Sequence, residues 1–180
     1  MEIVPIFGKN LFAKKYTGDK KNVFRKLFDF WNNPLKLDAF FEKNKNDLVN
    51  GYYGTLTIED AIFKTTEYAK EFKNEFKKLS NVESDELLKG LDRIFEPLHI
   101  STHKVFKLKQ SKSKNNWLRI YGLKVEDDTY IITGGAIKLT RTMQERKHTN
   151  NELKMLNNVR KYLIDRNIDN IQAVVKEIKI

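Results

Sequence analysis

The chain has 180 residues, with 34 lysines and arginines against 24 acidic residues, and it contains no cysteine. The length favours one domain, 1–180, and the lack of cysteine excludes disulfides, thiolate metal sites and thiol catalysis. No apolar run approaches the roughly 20 residues that span a bilayer, and the amino terminus lacks the pattern of a signal peptide. These features predict a cytoplasmic protein with no membrane partner, and neither a metal nor a cofactor is expected.

The first part of the chain, residues 1–100, is predicted to be mainly helical. Two short extended pieces come first, at Ile3–Phe7 and Asn10–Tyr16. The spacing of apolar residues then predicts a series of helices. They are Asn22–Trp31, a helix opened by Pro34, a helix capped by Thr57 with Asp60 three residues on, and Ser84–Pro97. Their aromatic side chains are expected to form core.

The second part, residues 101–180, is predicted to hold a sheet and a helix. Alternating side chains predict an antiparallel meander of three strands, His103–Lys109, Trp117–Val125 and Thr129–Leu139. Thr142 or Thr149 is expected to cap the helix that follows, and Ile171–Ile180 is a strand or a helix. The sequence thus predicts an α+β fold, in which a helical N-terminal half packs on a small antiparallel β-sheet (a meander) followed by a long C-terminal helix.

The net charge of +10 is concentrated in one segment. His103–Lys147 holds 11 lysines and arginines against four acidic residues, a net charge of +7, and the rest of the chain contributes only +3. Such clustering is typical of a nucleic-acid interface, although it is also found on faces that are merely solvated. The residues predicted to bind nucleic acid are Lys104, Lys107, Lys109, Lys112, Lys114, Arg146 and Lys147.

Two local patterns bear on this segment. Alternation places Leu118 and Ile120 on one face of a strand and Arg119, with Trp117 and Tyr121, on the other. Arg119 then either faces solvent or a cleft, which we favour, or it is a buried and paired charge. The pair Gly134-Gly135 lacks the spacing of a phosphate-binding loop and instead predicts a bulge or a close approach of two backbones.

The same segment holds the residue types that RNA cleavage by the 2′-hydroxyl requires. This reaction needs a base, cations that stabilise the phosphorane and an acid for the leaving oxygen, and it needs no metal. Histidine is the usual acid–base group at neutral pH, and tyrosine or lysine can replace it. The candidate catalytic residues are Arg119, Tyr121, Lys138, Arg141 and His148.

The order of two helices, three antiparallel strands and a basic segment resembles the RelE/HigB superfamily of toxin ribonucleases. The resemblance covers about residues 57–165 and includes Arg119 in LRIY and the lysines and arginines after ITGGAIKLT. It implies an endoribonuclease that cleaves messenger RNA, often on the ribosome, and that a cognate antitoxin protein silences. It also implies phosphate-stabilising roles for Arg119 and Arg141, a base or phosphate role for Lys138, and proton transfer by His148 or Tyr121.

The chain extends about 55 residues before the part that carries this resemblance. Two classes of function therefore stay open at the level of sequence. One is a toxin-like, metal-independent endoribonuclease acting on RNA. The other is a non-enzymatic module that binds a nucleic acid or an acidic protein through the same basic surface.

Overall fold

The computed structural model describes residues 1–49, 51–98, 106–111, 116–126, 128–170 and 172–174. Six strands form one mixed sheet, in the spatial order β1-β2-β6-β5-β4-β3. The strands are β1 (Glu2–Phe7), β2 (Leu11–Lys15), β3 (Phe95–Pro97), β4 (Phe106–Ser111), β5 (Leu118–Val125) and β6 (Thr129–Ile137). Neighbouring strands are antiparallel except for β2 and β6, which run parallel.

Helices cover both faces of the sheet, which makes three layers. The helices are α1 (Val23–Trp31), α2 (Pro34–Lys43), α3 (Lys45–Val49), α4 (Ile58–Leu79), α5 (Ser84–Ile94) and α6 (Lys147–Asp165). The first five contribute to a core on one face, around Trp31, Phe41 and Phe72. On the other face, Leu156 and Leu163 of α6 pack against the sheet. Every residue of β5 is buried as a result.

Side-chain caps begin α1, α2 and α4 close to where the sequence predicts these helices to start. Asn22 Oδ1 accepts a hydrogen bond from the Arg25 amide at 2.9 Å, and Pro34 occupies the first turn of α2. Thr57 Oγ1 accepts from the Asp60 amide at 3.1 Å, which confirms the predicted cap of α4. Each cap satisfies an amide that the first turn of a helix leaves without a partner.

The predicted architecture was wrong in its sheet. The sheet is six-stranded and mixed, and two of its strands, β1 and β2, come from the half that was expected to be mainly helical. The register pairs Leu11 with Tyr130 and Ala13 with Ile132, so distant parts of the chain share the centre of the sheet. Periodicity identifies a strand but carries no information on its partner, which is why the parallel pairing could not be foreseen.

The predicted long C-terminal helix was also wrong, because α6 is shorter and has different caps. Asn167, with φ of 53°, ends it in a left-handed conformation. The Ile168 amide donates to Leu163 at 2.9 Å, as in a Schellman motif. At the other end Arg146 is the N-cap, while Thr149 Oγ1 lies inside the first turn and donates to the Met143 carbonyl at 2.6 Å. Neither predicted threonine caps the helix.

Two smaller corrections concern α5 and Trp117. The predicted helix Ser84–Pro97 stops at Ile94, and its last three residues form β3, whose partner is β4. Trp117 precedes β5 and lies in the same core as Leu118 and Ile120. The prediction that it lies on the opposite face from these two residues was therefore wrong. The predicted strand residues 103–105 and most of the predicted piece 171–180 lie outside the described residues.

The glycine pair lies where two backbones and a helix meet. Tyr121 pairs with Gly134 and Gly122 pairs with Ile132, so Thr133 is the extra residue of a bulge in β6. A Cβ on Gly135 would lie 2.5 Å from the Arg119 carbonyl oxygen. The prediction of a bulge or close backbone approach is therefore confirmed.

Candidate functional site

Arg119 is buried rather than directed into an open cleft. Its side chain is 8% exposed, and Nη1 donates to the Asn116 carbonyl at 2.6 Å and to the Leu118 carbonyl at 2.7 Å. Nη2 reaches the Tyr53 hydroxyl at 3.4 Å. Of the two alternatives that the sequence left open, the structure has the buried one. The described partners of the guanidinium are two backbone oxygens and a hydroxyl rather than an acid.

Tyr121 is fully buried on the α6 side of the sheet, beside Ala136 and Met143. Its hydroxyl has no hydrogen-bond partner among the described residues. Burial raises the pKa of Tyr121, and the positive charge of Arg119 only partly offsets that rise. A phenol whose pKa lies above its ordinary value stays protonated at neutral pH, so it cannot be the base of a reaction there.

Lys138 and Arg141 lie together in the loop between β6 and α6, at a pocket of about 470 Å³. Lys138 Nζ donates to the carbonyls of Thr140, at 2.9 Å, and Arg141. Arg141 is exposed, and its guanidinium carbon lies 5.9 Å from the centre of the Tyr52 ring. Tyr52 is itself 62% exposed, in a tight turn that includes Gly54 with φ of 84°. The loop thus presents a cation on an open aromatic ring.

At the end of this loop and the start of α6, Arg146, Lys147 and His148 line a second pocket, of about 560 Å³, with Phe40 and Lys43. Arg146 makes a two-point ion pair with Asp47 of α3, with Nε donating to Oδ2 at 2.7 Å and Nη2 to Oδ1. Lys43 and Lys147 are exposed at its rim.

His148 is held in place by the sheet and by α2. Its Nε2 lies 2.8 Å from the Ile137 carbonyl oxygen, and its ring packs edge-on against Phe40 with centroids 5.2 Å apart. Only a protonated Nε2 can hydrogen-bond to a carbonyl, so this contact selects that ring nitrogen as the donor. In a neutral ring with its proton on Nε2, Nδ1 carries no proton and can accept a hydrogen bond.

The two predicted lysines of β4 lie apart from this loop. Lys107 is exposed and is paired in register with Lys124, while Lys109 is half-buried opposite Gly122. Burial lowers the pKa of Lys109, and the nearby Lys124 ammonium lowers it further. Three other predicted lysines, Lys104, Lys112 and Lys114, lie outside the described residues.

Three of the predicted residues that reach solvent, Arg141, Arg146 and Lys147, belong to one surface, which we call the basic-aromatic surface. It is formed by the loop between β6 and α6 with the first residue of α6, and by the last residue of α2 with the segment that follows it. Because Arg146 contacts Asp47 and Arg141 contacts Tyr52, these two parts of the chain run side by side. Its members are Lys43, Tyr52, Arg141, Arg146 and Lys147.

A separate pocket, of about 230 Å³, was missed by the sequence analysis, and we call it the Lys14–Glu152 pocket. It lies beyond the last residue pair of the parallel strands, Ala13 with Ile132. In open α/β sheets, ligands bind in crevices at the carboxyl ends of parallel strands. The residues that line it come from β2, α1, β6 and α6, and they are Lys14, Tyr16, Val23, Lys26, Leu27, Phe30, Thr133, Gly134, Gly135, Glu152 and Met155.

Two charged groups of opposite sign lie in this pocket. Lys14 is only 1% exposed, and its Nζ donates to the Tyr16 hydroxyl at 2.9 Å while lying 4.4 Å from the centre of that ring. Burial raises the pKa of Glu152 to about 7, and the Lys14 ammonium and the Gly135 amide reduce the rise. Perturbed carboxylates in clefts are common at functional sites.

The glycine pair makes the space that this pocket occupies. A Cβ on Gly134 would lie 2.0 Å from Glu152 Oε2, and one on Gly135 would lie 2.7 Å from Leu27 Cδ1. Gly134-Gly135 was therefore the one signal in the sequence that could have identified the pocket. Nothing in the sequence distinguishes Lys14 from its neighbour Lys15, or Glu152 from the other acids, because only the tertiary structure buries them.

Comparisons with protein-family models, curated proteins and solved structures gave no match for this chain. Within the described residues, no group of three or more histidine, cysteine or acidic side chains could hold a metal ion. A search of the same residues finds no helix that is long and apolar enough to cross a membrane. The site must therefore be interpreted from its own geometry.

Proposed function

We propose that this protein binds single-stranded RNA on the basic-aromatic surface. The observation that carries the proposal is the Arg141 guanidinium over the exposed ring of Tyr52. Proteins that bind single strands combine cations that follow the phosphates with aromatic rings on which bases stack. Here one open aromatic ring lies beside a loop that carries several basic side chains.

The charges around Tyr52 support the same proposal. Arg141, Lys43 and Lys147 are exposed, while Arg146 is oriented by Asp47 and is half-exposed. An arginine in a cation–π contact with a ring keeps its N–H donors available, so they can bond to a phosphate. Single-stranded rather than duplex RNA is favoured because only unpaired bases can stack on a protein side chain.

Cleavage by a toxin-like, metal-independent endoribonuclease, with neutralisation by an antitoxin, stays a prediction. Among the candidate catalytic residues, Arg141 and His148 lie beside the proposed RNA path. Arg119 and Tyr121 are buried, so a role for them in proton or charge transfer would require the sheet to open. Binding therefore has more structural support than cleavage.

The test is fluorescence anisotropy of a labelled single-stranded RNA of about 12 nucleotides, a length within the usual site size. With about three phosphate contacts, affinity should fall about twentyfold between about 50 and 200 mM salt. Tyr52→Ala combined with Arg141→Ala should weaken binding by about 10- to 100-fold, because it removes both a stacking ring and a phosphate contact.

A matched control exists on α4, where Phe63 is 64% exposed and Lys70 is also exposed. Phe63→Ala with Lys70→Ala removes an aromatic ring and a cation at a distant surface, so RNA affinity should change less than about twofold. Equal losses in the two double variants, or duplex RNA bound as tightly as single strands, would rule the proposed surface out. Mapping of RNA ends after incubation tests cleavage separately.

A further inference from the structure

The Lys14–Glu152 pocket is built as a site for a small ligand. Its apolar walls come from Val23, Leu27, Phe30 and Met155, and its polar groups are few and converge on one space. That combination is typical of small-molecule sites. Pockets for drug-sized ligands measure about 300 to 1,000 Å³, so a pocket of about 230 Å³ suits a smaller molecule of one or two rings.

The two charges in the pocket attract each other through space, but the described hydrogen bonds of each go to other groups. The described hydrogen bond of Lys14 goes to the Tyr16 hydroxyl, which leaves further donors on an ammonium that is almost fully buried. Burying a charge is costly unless it is paired or hydrogen-bonded. A ligand that accepts from Lys14 and donates to Glu152 would satisfy both groups at once.

We propose that the Lys14–Glu152 pocket binds a planar lactam ring, whose edge carries a carbonyl oxygen beside one or two N–H donors. This is the chemistry of guanine. Lys14 donates to the carbonyl oxygen, the Glu152 carboxylate accepts the N–H donors, and Leu27 and Phe30 contact the ring. In the same pose adenine places an amino donor toward Lys14 and a ring-nitrogen acceptor toward Glu152, so both contacts are mismatched.

Gly134 makes the proposal specific to one carboxylate oxygen. Since a Cβ at this position would lie 2.0 Å from Glu152 Oε2, Gly134→Ala must displace the carboxylate while it leaves both charges in the protein. A general effect of net charge on binding would survive this substitution. Binding that depends on the position of the Glu152 carboxylate would instead be lost in Gly134→Ala.

The experiment uses NMR of the full chain with ¹³C-labelled methionine methyl groups. The chain has three methionines, of which Met155 lines this pocket and Met143 lines the pocket beside Arg141. Titration with guanosine should shift the Met155 signal and leave Met143 unchanged. Adenosine should shift neither. Because the unsubstituted protein carries the readout, the result does not depend on the folding of a variant.

Variants then test which groups bind the ring. Glu152→Gln, Gly134→Ala and Lys14→Met should each weaken guanosine binding by about tenfold or more, as loss of a hydrogen bond to a charged group does. Lys15→Met is the matched control, because Lys15 is the next residue of β2 and pairs with Glu2 at 2.8 Å. It should leave guanosine affinity unchanged.

The source of the ring is distinguished by an oligoadenylate that contains a single guanosine. A Met155 shift with the free nucleoside identifies a small-molecule site, and a shift with this oligonucleotide alone identifies a base of a bound RNA strand. If neither probe shifts Met155, if adenosine shifts it as strongly as guanosine, or if the variants bind guanosine normally, the inference is overturned.

The outcome is separate from that of the proposed function. Guanosine binding at Met155 without any RNA affinity would support the lactam site and remove the RNA-binding proposal. If an RNA shifts the Met143 signal and no probe shifts the Met155 signal, the RNA-binding proposal is supported and the lactam site is removed.

Discussion

The basic-aromatic surface and the Lys14–Glu152 pocket hold their charges in opposite ways. On the surface, Arg141 is open to solvent beside Tyr52, and the chain brings many cations to one loop. In the pocket, one lysine and one glutamate are enclosed by apolar walls. Charge counts along the sequence indicate the first kind of region, whereas only burial and a perturbed pKa reveal the second.

The difference also decides what each charge does to stability. An exposed cation keeps most of its hydration and contributes little to folding, so it can be used for binding. A buried charge must be compensated by the protein, so its removal or titration changes the free energy of unfolding. Three substitutions test this contrast.

The largest effect is expected at Arg119. Arg119→Ala removes a buried side chain and the two hydrogen bonds that its guanidinium donates to the Asn116 and Leu118 carbonyls. It should lower the free energy of unfolding by about 3 kcal/mol, measured by urea denaturation. Arg141→Ala, the exposed counterpart, should change it by less than about 0.5 kcal/mol. Similar values for the two variants would contradict the contrast between buried and exposed cations.

The next effect is a pH dependence from Glu152, whose pKa burial raises from 4.5 to about 7. The folded state binds this proton more tightly than the unfolded state, so stability from this group is complete below pH 4.5 and is lost as pH rises through 7. Between pH 5 and pH 8 the loss should be about 2 to 3 kcal/mol.

Glu152→Gln should remove that part of the pH dependence, because glutamine carries no titrating proton. The free energy of unfolding is measured by urea denaturation at about pH 5 and about pH 8. The control is Glu86→Gln in the exposed first turn of α5. The Lys14 ammonium and the Gly135 amide favour the charged carboxylate, and Lys26 and Tyr16 line the same pocket. An unchanged pH profile in Glu152→Gln would show that the carboxylate is not effectively buried.

The smallest effect is expected at Asp47. Asp47→Asn removes the acid that pairs with Arg146 and adds one unit of positive charge to the basic-aromatic surface. RNA should bind about three- to tenfold more tightly, the gain expected from about one further phosphate contact. Asp29→Asn changes the net charge equally at a distant pair with Lys21, so it controls for total charge. If RNA affinity rises equally in both variants, the increase comes from total charge and the position of Arg146 has no special role in RNA binding.

The sequence allowed the local elements to be predicted better than their assembly. The cap at Thr57, the proline that opens α2 and the hairpin of β5 and β6 depend on neighbouring residues, and each was found. The parallel pairing of β2 with β6 joins residues more than a hundred positions apart, and no local pattern encodes it. In the candidate site, likewise, the clustered cations could be predicted from the sequence, but their burial and partners could not.

Composition and spacing by themselves determined the clustered positive charge, the absence of cysteine chemistry and the close approach at Gly134-Gly135. Tertiary structure alone decided that Arg119 is buried, that Arg141 lies over Tyr52 and that Lys14 and Glu152 line one pocket. The physical reason is that a side chain's charge is a property of its residue type. Its solvation and its partners depend on the surfaces that folding brings around it.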